Sequence, residues 1–254
     1  PIPLSQGWRV GERIFVGGQI SADEQGKSVH VGNLSAQTHN IFKFISNVLN
    51  DAGASLDDVV HVKICFKHHS REPSGKSFVD KIMEIATEYT GGNGSVLAAF
   101  GVDLLYPGLD LEIDAMAIVD PARRSLSGSA AGGRYQPGQF SDGVNAAGEI
   151  YVGGQTALGV DGTTQAAGDI AGQARIVFEH LRSVLAADGA TLDDVVKLNL
   201  FFVSDAARSA EAFHAISAVW ADMAPNAHPA MTPVRVHELA RQELLVQADC
   251  IALK

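Results

Sequence analysis

The sequence predicts an α+β chain built from two tandem copies of one domain, each a mixed sheet with two helices on one face. Three observations carry this. Phe15-Val16-Gly17-Gly18-Gln19 returns as Tyr151-Val152-Gly153-Gly154-Gln155, 136 residues later (15 to 151). At the same spacing Gln37 returns as Gln173, and Gly53-Ala54-Ser55-Leu56-Asp57-Asp58-Val59-Val60 as Gly189-Ala190-Thr191-Leu192-Asp193-Asp194-Val195-Val196. Near the ends of the halves Leu111-Glu112-Ile113-Asp114-Ala115-Met116-Ala117 answers Val246-Gln247-Ala248-Asp249-Cys250-Ile251-Ala252 at a spacing one residue shorter, so a loop differs by one residue. A repeat of this length divides the chain into two units of ordinary domain size, expected at 1–120 and 138–254 with a linker over 121–137.

Arg13 to Val16 follows a turn signal and runs into the glycine pair, which predicts a strand ending where the backbone turns or something approaches closely. Asn33 to Asn50 predicts a helix, because Leu34, Ile41, Phe44, Ile45, Val48 and Leu49 fall on one stripe and Gly53 stands just past the end. Val59 to Phe66 is a β-branched run, with Val60, Val62, Ile64 and Phe66 on one face and His61, Lys63 and Cys65 on the other. A helix follows over 77–89, then strands over 96–105 and 109–118. Asp120 to Pro137 is rich in Ser, Gly and Ala with little to pack, hence the linker. The order then repeats: strand 149–152, helix 169–187, strand 195–203, helix 209–223, strands 233–238 and 244–253, with an extra leading strand expected in each half. Helices on one face leave the other, with its polar strand residues, to be covered by a further copy of the domain.

Composition narrows the function. With 46% apolar and 19% charged residues the chain is ordinary globular material, and no apolar run approaches the ~20 residues needed to cross a membrane. A formal charge of −10 opposes binding to nucleic acid phosphates or anionic lipid, so neither partner is expected. Cys65 and Cys250 lie in apolar strand-like runs, as buried free thiols do in a reducing compartment. No basic and apolar leader stands at Pro1-Ile2-Pro3-Leu4, and the expected location is cytoplasmic.

The glycine-glycine-glutamine motif, the Gly-Ala-Ser/Thr-Leu-Asp-Asp-Val-Val block and the Leu-Glu-Ile-Asp-Ala-Met-Ala ending, in this order of elements, resemble the RidA (YjgF-type) reactive-intermediate deaminase family over nearly the whole chain. The resemblance implies two YjgF-like, chorismate-mutase-like domains. It also implies trimeric packing with ligand clefts between neighbouring sheets, and hydrolysis of enamines or imines to ketones and ammonia. Some relatives act on aminomuconate or pyrimidine breakdown products. The family's substrate-gripping arginine on the penultimate strand falls at Met231 and Val96 in this chain. Its glutamate on the last strand is kept as Glu112 and replaced by Gln247. An aromatic hydroxyl falls at Leu4 and Phe140, and a helix asparagine at Asp80 and His214.

Other residues could rebuild a site. Arg235 and His237 alternate with Met231 on one strand face, so Arg235 could grip a carboxylate and His237 carry a proton; a surface ion pair with Glu238 is the plainer reading. Glu112 and Asp114 share a face, and two close carboxylates suit acid and base work on a carbon-nitrogen double bond. Asp114, matched by Asp249, also suits an architectural role. Lys63 could contact an anion or act as an amine nucleophile, or be a cross-strand charge. His61, Cys65, His68 and His69 lack the paired spacing of zinc ligands, so no metal is expected. Gly17, Gly18 and Gln19, with Gly153, Gly154 and Gln155, do not open a phosphate loop; their backbone amides could instead polarise a ligand carbonyl.

The reading that results is a hydrolytic deaminase of small carboxylate-bearing imines or enamines, with no metal or organic cofactor. Glu112 would orient water, Arg235 or Lys63 would hold the carboxylate, and glycine amides would take developing charge. Loss of the family arginine from both halves supports an alternative, a non-catalytic small-molecule sensor or scaffold; amide hydrolysis is a further one. Three chains supply six domains for two stacked three-way rings, so a homotrimer is expected, with a sheet-to-sheet homodimer as the alternative.

Overall fold

The structure is a computed structural model, and it describes residues 4–68, 78–90, 94–128 and 140–254. In the first half β1 (Gly7–Val10), β2 (Arg13–Ile20), α1 (Leu34–Asp51), β3 (Val59–Lys67), α2 (Phe78–Thr90), β4 (Val96–Val102) and β5 (Leu111–Ile118) follow one another. After β6 (Arg124–Leu126) the second half runs β7 (Gly143–Ala146), β8 (Glu149–Thr156), α3 (Ile170–Ala186), β9 (Val195–Val203), α4 (Ser209–Met223), β10 (Ala230–Val236), β11 (Glu238–Leu239) and β12 (Val246–Leu253). The sheets are ordered β1-β2-β5-β3-β4-β11 and β10-β9-β12-β8-β7-β6. In each the pair linked through the second helix is parallel, β3 with β4 and β9 with β10, and every other pair is antiparallel. These are the two mixed-sheet α+β domains of the sequence reading.

Local chemistry starts the helices where the pattern placed them. Asn33 caps α1 by accepting from the Ala36 amide at 3.0 Å, and Asp169 caps α3 by accepting from Gly172 at 2.9 Å. The buried stripe of α1 contains Phe42 rather than Phe44, which instead borders an open cleft. Together with Ile41, Ile45 and Leu49 it packs on Val62, Ile64 and Phe66 of β3. Val60 turns the other way because the β3–β5 register slips between Val59 and His61.

Three boundaries differ from expectation. β2 continues through its glycines to Ile20, and β8 through its own to Thr156, because the backbone bulges there instead of turning. Arg124–Leu126, inside the expected linker, joins the second sheet by pairing with β7, while 129–137 lie outside the described residues. β11 belongs to the second half by sequence but pairs antiparallel with β4 of the first, Leu239 opposite Phe100.

That crossing follows from how the two halves meet. Each sheet lays its helix-free face toward the other, so the chain's own second domain supplies part of the cover that a separate copy was expected to give. Phe100 and Phe201 stack with ring centroids 4.1 Å apart inside a cluster with Leu158, Val236, Leu239 and Leu244. A second patch seats Val144, Ala146 and Tyr151 on Val60, Val96 and Ile118. Gly153 allows the close approach: a Cβ there would lie 3.0 Å from Val96 Cβ and 3.1 Å from Leu97 backbone atoms. Arg13 and Glu149 pair across the halves, with Tyr151 donating to the same carboxylate.

Removing either stacked ring leaves a cavity between the halves. Phe100→Ala and Phe201→Ala should each cost about 3 kcal/mol in urea unfolding. A double-mutant cycle should show coupling of about 1 kcal/mol; strict additivity would mean that the rings do not support each other.

Candidate functional site

The glycine motifs build two related clefts. In β2 the ladder skips from Val16 to Gln19, and in β8 from Val152 to Gln155, so both glycine pairs sit in bulges. Space that a Cβ of Gly18 would need is filled by the Glu112 carboxylate, and at Gly154 by the Gln247 amide carbon 2.9 Å away. Any side chain at these glycines would push the acid or amide aside. The first amide of each pair does not face a ligand, contrary to expectation: Gly17 donates to Gln6 O and Gly153 to Asp142 O, each at 2.9 Å. Gln19 and Gln155 brace their own bulges, donating to Gly17 O at 3.0 Å and Gly153 O at 2.9 Å.

The cleft of the second glycine pair lies in the seam between the halves and encloses about 80 Å³, room for a ligand of a few heavy atoms. From the first half come Asp80 of α2 and Leu97 of β4; from the second come Gly154, Gln155, Gln247 and Arg241. Arg241 donates to Asp80 at 3.0 Å. Gln155 Oε1 and Gln247 Nε2 are buried without a hydrogen-bond partner among the described residues, one acceptor and one donor. Such groups each cost about 1–3 kcal/mol when unmet, so the cleft favours a ligand or waters that bond to both. Strand register corrects one equivalence. Met231 stands opposite Leu198, and Leu97 opposite Val62, the counterpart of Leu198 in the repeat; the residue answering Met231 is therefore Leu97, not Val96.

The cleft of the first glycine pair is open, about 830 Å³, and bordered by Gln6, Gly18, Gln19, Tyr106 and Glu112. Loss of hydration, then the nearby Asp114 charge, raises the Glu112 pKa above the ordinary glutamate value. Asp114 stands directly opposite Lys63 in the ladder and pairs with it at 3.4 Å. Burial raises its pKa and Lys63 opposes the rise. Lys63 is thus a cross-strand partner, and it does not border the Glu112 cleft.

The expected union of Glu112 with Arg235 and His237 does not form within one chain. β10 is the far edge of the second sheet, and its Met231 side packs toward the helix layer. Arg235 and His237 therefore line a separate cleft of about 700 Å³ against Arg208 and Glu211. The residues weighed for a metal are also dispersed. Burial, then the Lys63 charge, pushes His61 down to about 3, and burial pushes Cys65 up to about 12, so neither changes charge near neutrality. His69 lies outside the described residues, and His68 meets other groups.

Asp249, the counterpart of Asp114, is buried. It accepts from Asn199 at 2.7 Å, and its Oδ2 has no partner among the described residues. Burial pushes it up to about 6. A carboxylic acid whose folded pKa is raised favours folding while protonated and loses that advantage as pH climbs from about 4 through 6. Asp249→Asn should therefore stabilise the protein at pH 8 by on the order of 2 kcal/mol, with the gain vanishing near pH 4. Thermal unfolding at both pH values checks this.

Comparison with known proteins gives this geometry a lineage. The profile described as Endoribonuclease L-PSP matches residues 2–119 and again 134–254. The chain belongs to the Endoribonuclease L-PSP family. A RutC family protein of Pyrococcus abyssi is 34% identical over 115 residues, which is 45% of this chain and 85% of that protein. The 2-iminobutanoate/2-iminopropanoate deaminase of Dermatophagoides farinae is 31% identical over 41% of this chain and 77% of its own. The 3-aminoacrylate deaminase RutC of Acinetobacter baylyi is 29% identical over 42% of this chain and 79% of its own. Each is matched over less than half of this chain, as single-domain counterparts of a tandem protein would be. A chorismatase crystal structure superposes on 98% of this chain and 79% of its own with a TM-score of 0.67 at 13% identity, so the same fold spans both halves.

Arg241 had escaped sequence reasoning. Its repeat counterpart is Tyr106, which borders the Glu112 cleft, so a column-by-column reading of the repeat would have placed both at a cleft mouth.

Proposed function

We propose that this chain is a metal-independent hydrolytic deaminase acting on small carboxylate-bearing imines or enamines, and that its chemistry occurs in the Glu112 cleft. The observation that carries the reading is Glu112 itself: a half-buried carboxylate of raised pKa, seated in the space left by Gly18 and facing an open cleft. Relatives named as deaminases support the reaction class. An enamine first becomes the imine as a proton moves from nitrogen to the neighbouring carbon. Ionised Glu112 then accepts a proton from water as its hydroxyl adds to the imine carbon, and returns that proton to the nitrogen. The hydroxyl proton follows to nitrogen as the C–N bond breaks. Collapse releases ammonia and leaves the carbonyl compound. A net charge of −10 argues against RNA as the substrate.

Purified protein given a freshly generated 2-imino acid or 2-aminomuconate should release ammonia faster than buffer. Glu112→Gln should cut that rate at least about a hundredfold, the range of general base catalysis. The rate should rise with pH through a midpoint above the ordinary glutamate value and flatten in the variant. Gln247→Glu should change turnover far less; equal effects at the two positions would contradict the placement of the chemistry.

A second reading, a small-molecule sensor, is favoured by the seam cleft, where Arg241, Gln155 and Gln247 offer donors and an acceptor and the lining carboxylate, Asp80, is paired with Arg241. Turnover lost in Glu112→Gln with ligand-induced thermal shift retained indicates the enzyme. No turnover in the wild type, with a thermal shift present, indicates the sensor.

Assembly is part of the proposal. Val144, Ala146 and Tyr151 are covered by the first half, whereas their repeat counterparts Trp8, Val10 and Phe15 are 69%, 62% and 44% exposed. Val196 and Leu253, counterparts of the covered Val60 and Ile118, are exposed at 42% and 46%. Docking of one copy's first half on another's second half would repeat the internal contact and cover Trp8, Val10 and Phe15, and a homotrimer is the proposed state. Sedimentation equilibrium should give three times 26.7 kDa. A homodimer would retain the docking and change the stoichiometry, whereas a mass of one chain would contradict assembly.

A further inference from the structure

We propose that His68, Asp103 and His237 form a binding site for a divalent transition metal, zinc in the first instance, that clips the two halves of the chain together. The topology assembles it. Parallel β3 and β4 end side by side, so His68, just beyond Lys67, and Asp103, just beyond Val102, leave the sheet at the same edge. His237, between β10 and β11, reaches that edge because β11 pairs with β4 and the His237 amide donates to Gly101 O at 3.0 Å. Two ligands thus come from the first half and one from the second.

The side chains converge as ligands do. His68 Nε2 lies 2.8 Å from Asp103 Oδ1, and His237 Nε2 lies 3.2 Å from Asp103 Oδ2. The imidazole rings stack with centroids 4.3 Å apart, and the three ligand atoms all lie within 4.8 Å of one another. Around a tetrahedral zinc with bonds of about 2.0–2.1 Å, donor atoms stand roughly 3.4 Å apart, so small rotations of the exposed Asp103 and His237 about a half-buried His68 suffice. Two imidazole nitrogens and a carboxylate oxygen are a donor set that zinc, cobalt and iron accept.

The carboxylate faces both rings, with one oxygen toward each imidazole. Without metal, each of the stacked imidazoles turns one ring nitrogen to the shared carboxylate; a divalent cation takes the place between them and bonds to all three groups. Asp103 is largely exposed, which gives the ion a path in and leaves a coordination position to water. None of the three residues borders the Glu112 cleft or the seam cleft, so this site is independent of the proposed hydrolysis.

The test uses the full chain, stripped with a chelator and then titrated with cobalt(II) followed by visible absorption and with zinc followed by calorimetry. One equivalent per chain should bind, with ligand-field bands in the cobalt form and a rise in melting temperature with zinc. His237→Ala and Asp103→Asn should each weaken binding at least about tenfold and abolish the thermal rise, while Glu112→Gln and the surface control His30→Ala bind as the wild type does. Absence of ligand-field bands and of zinc-dependent heat would overturn the proposal. So would binding unchanged in both ligand variants.

Discussion

A sheet with helices on one face still has a second face, and in this chain the covering of that second face organises everything else. Strand residues that look neither wholly apolar nor wholly polar are reconciled by sheet-on-sheet packing. Phe100 stacks on Phe201 and Val60 meets Tyr151, while charged and amide groups such as Lys63, Asp114, Asn199 and Asp249 pair across strands nearby. The glycine pairs belong to the same constraint. Where Gly153 and Gly154 let the first half's β4 approach, a bulge opens the ladder and a side chain of β12 enters the space. The seam cleft is therefore a consequence of closing two sheets on each other, with Arg241 of the β11–β12 connection in its lining.

Tandem fusion makes the two halves unequal although they began alike. In the single-domain arrangement that the relatives' lengths suggest, every domain would offer the same edge and the same cleft. Here the second half's leading strands are buried against the first half, and the first half's leading strands remain outside with Trp8, Val10 and Phe15 uncovered. Once the positions are inequivalent, their side chains can diverge. Glu112 stands at the wide cleft, Gln247 at the narrow one, and Leu97 and Met231 hold equivalent register positions in the two sheets. An enclosed carboxylate at position 247 would bear the burial cost that already pushes Asp249 up to about 6, which is a physical reason for a neutral amide there.

Much of the fold was legible because it is written locally. The repeat, the helix stripes with their Asn33 and Asp169 caps, and the alternation of β3 each depend on residues a few positions apart. Glu112 and the glycine motif could be singled out because a glycine pair and a last-strand position recur in both halves, and the Glu112 carboxylate lies beside Gly18. What sequence could not show was decided by long-range packing. The two-residue strand Glu238–Leu239 crosses to the other half's sheet, and that crossing sets His237 beside Asp103, outside the Glu112 cleft. Arg235 and Met231 do share a strand face, as alternation requires, but whether that face turns to the helices or to the other sheet depends on the whole domain. Arg241 meets Asp80 of the other half, a contact no local pattern records.

The account's central claim is that fusion has divided the clefts, leaving the open one with Glu112 as the place where substrate is handled. A crystal structure of the chain with a small dicarboxylate bound tests this most directly. The account predicts the ligand in the cleft bordered by Gly18, Gln19 and Glu112. A ligand found only in the outer cleft, held by Arg235 and His237 against α4 with the Glu112 cleft empty, would contradict it.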